Sequence, residues 1–470
     1  MSPQEGIPLV AVGVHYGVGF RSEPEGRSGF AHLFEHLMFQ GSAAVEPGEH
    51  LRGVQALGGT AGGSTHQDYT DYHQIAPAAA LERLLFLEAD RMRSPRLTQD
   101  ALTTQLAVVK EEIRLQVRDR AYGGFPWTTL PAALYRTYPN AHDGYGDFTD
   151  LDRATVDDCV TFFDRHYPPG NAVLTVAGAI DPDRTAALVE QYFGDIPARP
   201  AATAPDLREP RPTDRAHRAY DDPHAPFPAT AVGLRLPDPA DDHDRYLACV
   251  LLAHLLAGDG PAGLRSRAHE EGLELTSATS RCGFFGPFDA RDPDTLVVTA
   301  RHPASVHDDF ADLVVRTLKR IGDGTLPEEE LHHAATARAA HWNRRHDHLL
   351  TRTRALGTWT LLYDTPDRLH QVPARLRTLD PSLVRSTAAE LSRGQVALLA
   401  VRSAKEGPAK KGPATEGPAT EGPATEGPAT EGPAKEGPAK EGPAKEGAAK
   451  EGPAKKGPTT EGPARKGAAA

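Results

Sequence analysis

Residues 29–39 read Gly-Phe-Ala-His-Leu-Phe-Glu-His-Leu-Met-Phe. The spacing His32-x-x-Glu35-His36 has a consequence only if this stretch is helical. Both imidazoles then stand on one face a turn apart, close enough to grip a single ion. Glu35 lies on the same side and can reach a water held by that ion. Imidazole suits zinc, and catalytic zinc takes three protein ligands and a water. The fold must therefore bring a third ligand from elsewhere in the chain to this helix.

The helix expected over residues 101–118 supplies a candidate. Val108, Val109 and Ile113 mark its apolar arc; Glu112 falls inside that arc at 100° per residue, whereas Glu111 points toward solvent. A carboxylate on the apolar side of a helix is costly unless paired or metal-bound. Glu112 is thus the candidate third ligand, with a buried salt bridge as the competing reading.

Upstream, residues 7–18 alternate and are rich in valine, which predicts a buried strand. Residues 57–72 (LGGTAGGSTHQDYTDY) begin with glycines and then alternate Thr and Tyr. They read as a Gly-rich hairpin whose strand another backbone can approach closely. Residues 79–92 form an amphipathic helix, 121–150 are loop-rich and 151–163 helical. A strand over 172–178 and a helix over 181–193 close the first unit. The Pro/Ala/Arg/Asp-rich stretch 197–215 reads as a linker. The alternation then repeats, with strands at 229–236 and 295–300 and helices at 244–256, 303–321 and 327–345. His332, His333, His341, His346 and His348 on and after the last helix show no fixed ligand spacing and read as a solvated face.

From about Ala404 the unit Glu-Gly-Pro-Ala-(Lys/Thr) recurs to the end. It has no aromatic and no apolar residue larger than alanine, so it cannot offset its ordering entropy and is expected to be a disordered, polyproline-biased tail. The net charge of −12 and the lack of a basic, aromatic-interleaved cluster argue against nucleic acid. No apolar run is long enough for a membrane span, and residues 1–6 do not open a signal peptide, so a cytoplasmic protein is expected. Three cysteines, odd in number and far apart, give no disulfide framework.

With His32, Glu35, His36 and Glu112 in hand, residues 7–403 resemble the inverted-motif zinc peptidases of the insulinase/pitrilysin family, which include the mitochondrial processing peptidases. The resemblance rests also on residues 18–31 (VGFRSEPEGRSGFA), on Glu112 standing 76 residues after His36, and on Tyr167-Pro168-Pro169-Gly170-Asn171. It implies an α+β fold: two homologous α/β halves, each a mixed sheet with flanking helices, arranged as a clamshell. The expected boundaries are 1–200 for a zinc-bearing half, 201–215 for a linker, 216–403 for a non-catalytic half and 404–470 for the tail. It further implies one zinc ion per chain, hydrolysis of unfolded or short peptides, and Gly62, Gly63, Ser64 and Thr65 as the edge to which substrate adds.

Four departures qualify the resemblance. The family's first strand, usually some 20–30 residues before Val10, is missing. Gly62 stands where members carry Asn. Gln105 stands seven residues before Glu112, where members carry a Glu supporting a zinc histidine; Gln can still hydrogen-bond in the second shell. Ala268 and Leu275 occupy the positions of an Arg and a Tyr that stabilise the oxyanion in active members. These last two imply a dimer in which a homologous subunit supplies Arg and Tyr; a catalytically silent binding or assembly subunit is the alternative.

Overall fold

The computed structural model describes residues 1–4, 6, 8–200, 202–210 and 215–404; the repeat expected to be a disordered tail lies outside them, apart from Ala404. Among the described residues, ten strands form two five-stranded sheets. The first contains β1 (Ser2–Pro3), β2 (Leu9–Tyr16), β3 (Thr60–Thr65), β4 (Thr70–Pro77) and β5 (Ala172–Gly178) in the order β1-β5-β2-β4-β3. The second contains β6 (Ala216–Asp222), β7 (Ala229–Arg235), β8 (Ser277–Cys282), β9 (Thr295–Arg301) and β10 (Val396–Ser403) in the order β6-β10-β7-β9-β8. The two orders are the same, and so is the pairing. Each first strand runs parallel to the last strand of its sheet, and every other pair is antiparallel. The halves are homologous, and the fold is the α+β arrangement the sequence implied. The edge expected to be missing from the first sheet is held by a two-residue pairing, Ser2–Pro3 against Ala177–Gly178.

Strand β2 is buried along almost its whole length because both of its faces are covered. Val10, Val12, Val14 and Tyr16 point into the cores beneath the half's own helices. Ala11, Gly13 and His15 point to the other face, where the helix Leu349–Tyr363 of the second half lies across the sheet. The approach is close: a Cβ on Gly357 would fall 2.3 Å from the His15 ring. The second sheet is treated reciprocally. Val232, Leu398 and Ala400 face its own helices, whereas Ala231, Ala397 and Leu399 pack on Leu130, Ala133 and Leu134 of the first half. Each half thus lends a helix to the other's sheet, which sequence periodicity had not indicated.

Several expectations are corrected. The helix expected over 101–118 is α-helical from Gln99 to Ile113 and passes into a π turn, Arg114–Arg118. Its buried arc is Leu102, Gln105, Val109 and Ile113; Val108, assigned to that arc, is 44% exposed. The helix expected over 151–163 is two: Phe148–Asp152 ends early, and Val156–His166 restarts at a Thr155/Asp158 capping box. The "loop-rich" region includes the helix Leu130–Leu134 that reaches the second sheet. Strands β6, β8 and β10 and the helices Leu349–Tyr363, Arg368–Arg377 and Pro381–Arg393 were not anticipated.

Candidate functional site

The His32-x-x-Glu35-His36 stretch is the helix Phe30–Leu37. Phe30, Leu33, Phe34 and Leu37 anchor it in the core against Val14 and Tyr16, which leaves His32, Glu35 and His36 on the opposite side. The start of the helix is held by Glu23, a buried carboxylate that accepts the Gly29 N–H at 2.9 Å and the Ala31 N–H at 2.7 Å. An acid satisfies amides there that have no partner within the helix and complements its dipole. His142 meets the same carboxylate at 3.2 Å. Burial pushes Glu23 up. Burial alone would lower His142, but Glu23 outweighs it and the imidazole is raised.

The second helix, capped by the Thr98 hydroxyl accepting the Ala101 N–H, brings Glu112 to the histidines. Its Oε2 lies 3.6 Å from His32 Nε2 and 3.4 Å from His36 Nε2, and the three ligand atoms all fall within 4.8 Å of one another. Ligands about 2.1 Å from a tetrahedral zinc sit ~3.4 Å apart. Both distances from Glu112 are close to that spacing, so the three residues fit such an ion. The adjacent His32 and His36 rings hold the Glu112 carboxyl well below the usual carboxylate range. Burial lowers His32, but Glu112 and Glu35 outweigh it and the net shift is upward. A negative centre is thus held between two ring nitrogens, as a cation ligand set requires. Among the described residues this is the one such grouping; the histidines at 332–348 form none.

Glu35 is not among the ligands. The Thr65 hydroxyl donates to its Oε2 at 2.7 Å, and the strand that carries Thr65 passes directly beside it. A Cβ on Gly63 would lie 2.9 Å from Glu35 Cγ, so the glycine admits the carboxylate side chain rather than another backbone. Strand β3 is the outermost of its sheet, paired only to β4. Gly63, Ser64 and Thr65 line the cleft at the site, whereas Gly62 faces His73. Gln105 is buried on the same face of its helix as Glu112, yet it makes no hydrogen bond to His32 or His36 among the described residues. The hydrogen bond to a zinc-site histidine expected of it is not formed among the described residues. Ala268 is buried in the second half's core and Leu275 packs on that core; neither offers a donor to the cleft.

The cleft itself has a volume of about 730 Å³ and is walled by both halves. Sequence reasoning missed its second wall and the polar junction beneath it. Arg354 makes a two-pronged bond to the fully buried Asp71, at 2.8 Å to each oxygen. His66 Nδ1 and the Tyr69 hydroxyl meet Asp289 at 2.6 and 2.8 Å. Arg21 bonds Asp68 and the carbonyls of Arg291 and Pro293. The only sequence signal was the unusual density of His, Asp and Tyr over residues 66–73.

The two sheets, the inverted histidine motif and a candidate third ligand on a separate helix are the features of a class of metal-dependent peptidases. The family model for insulinase (peptidase family M16) matches residues 2–138, and that for the peptidase M16 inactive domain matches residues 153–338. The chain belongs to the M16, or insulinase, peptidase family. It is 30% identical over 258 residues to the zinc protease PqqE of Helicobacter pylori, covering 54% of this chain and 56% of that protein. An uncharacterized zinc protease of Mycobacterium leprae is 31% identical over 206 residues, covering 43% and 45%. The chain thus spans about half the length of these curated relatives. The crystal structure of a protease from Helicobacter pylori superposes with a TM-score of 0.76 at 23% identity, covering 85% of this chain and 95% of that one. An M16 inactive domain from Pseudomonas fluorescens gives 0.71 at 19% identity, covering 85% and 93%. No described helix is long and apolar enough to cross a membrane.

Proposed function

We propose that this chain is a zinc metallopeptidase that hydrolyses peptide bonds of unfolded or short polypeptides, as the zinc-bearing subunit of a dimer. The observation that carries this reading is one arrangement: three candidate ligand atoms within 4.8 Å of one another, with a carboxylate that is not among them fixed beside them.

His32, His36 and Glu112 would hold the ion. When bound, zinc polarises the scissile carbonyl and lowers the pKa of the attacking water. Glu35 accepts a proton from that water and delivers it to the leaving amine. Thr65 holds one Glu35 oxygen, which leaves the other for the proton. The open edge of β3 pairs with an extended substrate backbone and lays the scissile bond along Gly63–Thr65. Nothing at Ala268 or Leu275 can stabilise the oxyanion, and loss of one such donor costs on the order of 10²–10³ in rate. A homologous subunit carrying Arg and Tyr makes up that loss.

The test is hydrolysis of unstructured quenched peptides by the zinc-loaded chain and by its Glu35→Gln variant. Loss of turnover in the variant with zinc stoichiometry unchanged is the expected result. Equal turnover by both proteins would sink the assignment of Glu35. The apolar Ala268 and Leu275, where an Arg and a Tyr are expected, also favour a second reading, a silent assembly subunit. Zinc binding without turnover, even with the Arg/Tyr-bearing subunit added, would establish that one.

A further inference from the structure

The repeat of the fold makes a comparison within the chain possible. In each half two helices follow the fourth strand: Leu81–Arg93 and Gln99–Ile113 after β4, His307–Gly322 and Glu328–Asp347 after β9. In the first half the second of these helices brings Glu112 to the cleft. Its counterpart brings Arg338, Trp342 and Arg345, at positions i, i+4 and i+7, so that all three share one face and line the same cleft. Where one half supplies a carboxylate, the other supplies guanidinium groups.

These arginines differ from the others around them. Arg354, on the same wall, is neutralised by Asp71. Arg267 is paired with Glu270 and Glu271, and Arg316 with Glu271. Among the described residues no carboxylate pairs with Arg338, Arg345 or the neighbouring cleft residue Arg281. Arg338 lies over the Trp342 ring, 5.9 Å from its centroid, and Arg281 over Trp127 at 5.4 Å. Arg338 is half-buried, and removing an unpaired cation from water is costly unless an anion is supplied.

The surroundings show the same excess of positive charge. Burial, then Arg338, keeps His254 and His341 below the ordinary imidazole range; His346, which lines the cleft, is lowered to about 4 by burial and by Arg345 and Arg338. Burial and the neighbouring Arg345 also lower Arg338. Arg345 and Arg281 line the same cleft with exposed side chains, so an anion entering it would meet three guanidinium groups that no carboxylate neutralises, in a chain of net charge −12.

We propose that Arg338 and Arg345 form a carboxylate clamp, so that the cleft selects peptides bearing an acidic side chain or a free C-terminus. This rests on the reading of the cleft as a peptide site. Guanidinium pairs with carboxylate through two parallel hydrogen bonds, and hydrogen bonds to charged groups give selectivity of about 10- to 100-fold.

The experiment measures binding by fluorescence anisotropy, using the zinc-loaded full chain with Glu35→Gln so that no probe is consumed. The probes share one unstructured core. They carry Glu or Gln at one position and a free or amidated C-terminus. The expected result is 10- to 100-fold tighter binding of one carboxylate-bearing set, with the ratio shrinking as salt rises. Preference for Glu over Gln identifies the side chain as the anion; preference for acid over amide identifies the terminus. Arg338→Gln with Arg345→Gln brings the ratio to near 1, and Arg338→Glu favours Lys-bearing peptides. Equal binding of all four probes by the parent protein overturns the proposal, whether or not the variants fold. If the ratio holds but the protein with Glu35 intact cleaves none of the probes, even with the Arg/Tyr-bearing subunit added, the clamp stands and the peptidase reading fails.

Discussion

Four side chains carry the candidate chemistry, and their tolerances differ. Glu112→Gln keeps the shape of the third ligand but removes the charge between His32 and His36. Titration with a competing chelator is expected to show zinc affinity falling beyond the about 10- to 100-fold typical of outer-shell losses. Gly63 is constrained by contact: a methyl group there would meet Glu35 Cγ at 2.9 Å. Gly63→Ala is therefore expected to displace Glu35 and lower kcat by on the order of 10²-fold, the effect of a misplacement near 1 Å. Zinc stoichiometry should stay at the parent value, because no ligand moves; a variant with unchanged kcat would show that Glu35 has room to spare.

At the scale of elements, the helix Leu349–Tyr363 is the least local part of the site's support. It belongs in sequence to the second half and packs on β2 and β5 of the first. Its fit depends on Gly357 leaving space for the fully buried His15, whose pKa burial lowers to about 4. A neutral ring is therefore sandwiched between strand and helix. Gly357→Ala puts a Cβ 2.3 Å from that ring. Overpacking of this kind costs about 1–3 kcal/mol, a loss that a denaturant melt measures as a lower midpoint with the slope unchanged. An unchanged midpoint would mean that the helix can lift from the sheet.

Across the whole molecule, the two halves are joined by buried polar groups as well as by the exchanged helices. Burial would raise the Asp71 carboxyl, but His66, His73 and Arg354 hold it well below its ordinary value. Arg354→Gln strips the two-pronged partner from a buried charge. Such losses cost about 3–5 kcal/mol, and here the lower end applies because both histidines remain. The junction also predicts a pH dependence. Burial lowers His66, but Asp289 and Asp71 outweigh it and bring the folded pKa to about 9, above the ordinary 6.5. The stability this contributes is full below about pH 6.5 and is lost as pH rises toward 9. Thermal scans across that window are expected to show Tm falling in the parent protein and falling less in His66→Gln; parallel curves would remove His66 from the junction.

Local rules were enough for much of this protein. The strand Ala172–Gly178 and the helix Pro182–Phe193, capped by Asp181, follow from β-branched content and from capping chemistry. His32, Glu35 and His36 share a helix, so their spacing alone places them together. Glu112 was visible because a carboxylate on an apolar arc needs a partner, even though Val108 was assigned to the wrong side. What periodicity could not show is which buried surface faces which. Strands β2 and β7 are covered on both faces, and a strand read one residue at a time does not reveal that its second cover comes from the other half. The Arg354–Asp71 junction joins residues hundreds of positions apart, and the basic wall brings Arg281 to the helix of Arg338 and Arg345. Their energies depend on desolvation and on distances that exist only after the halves pack, so only the tertiary structure decided them.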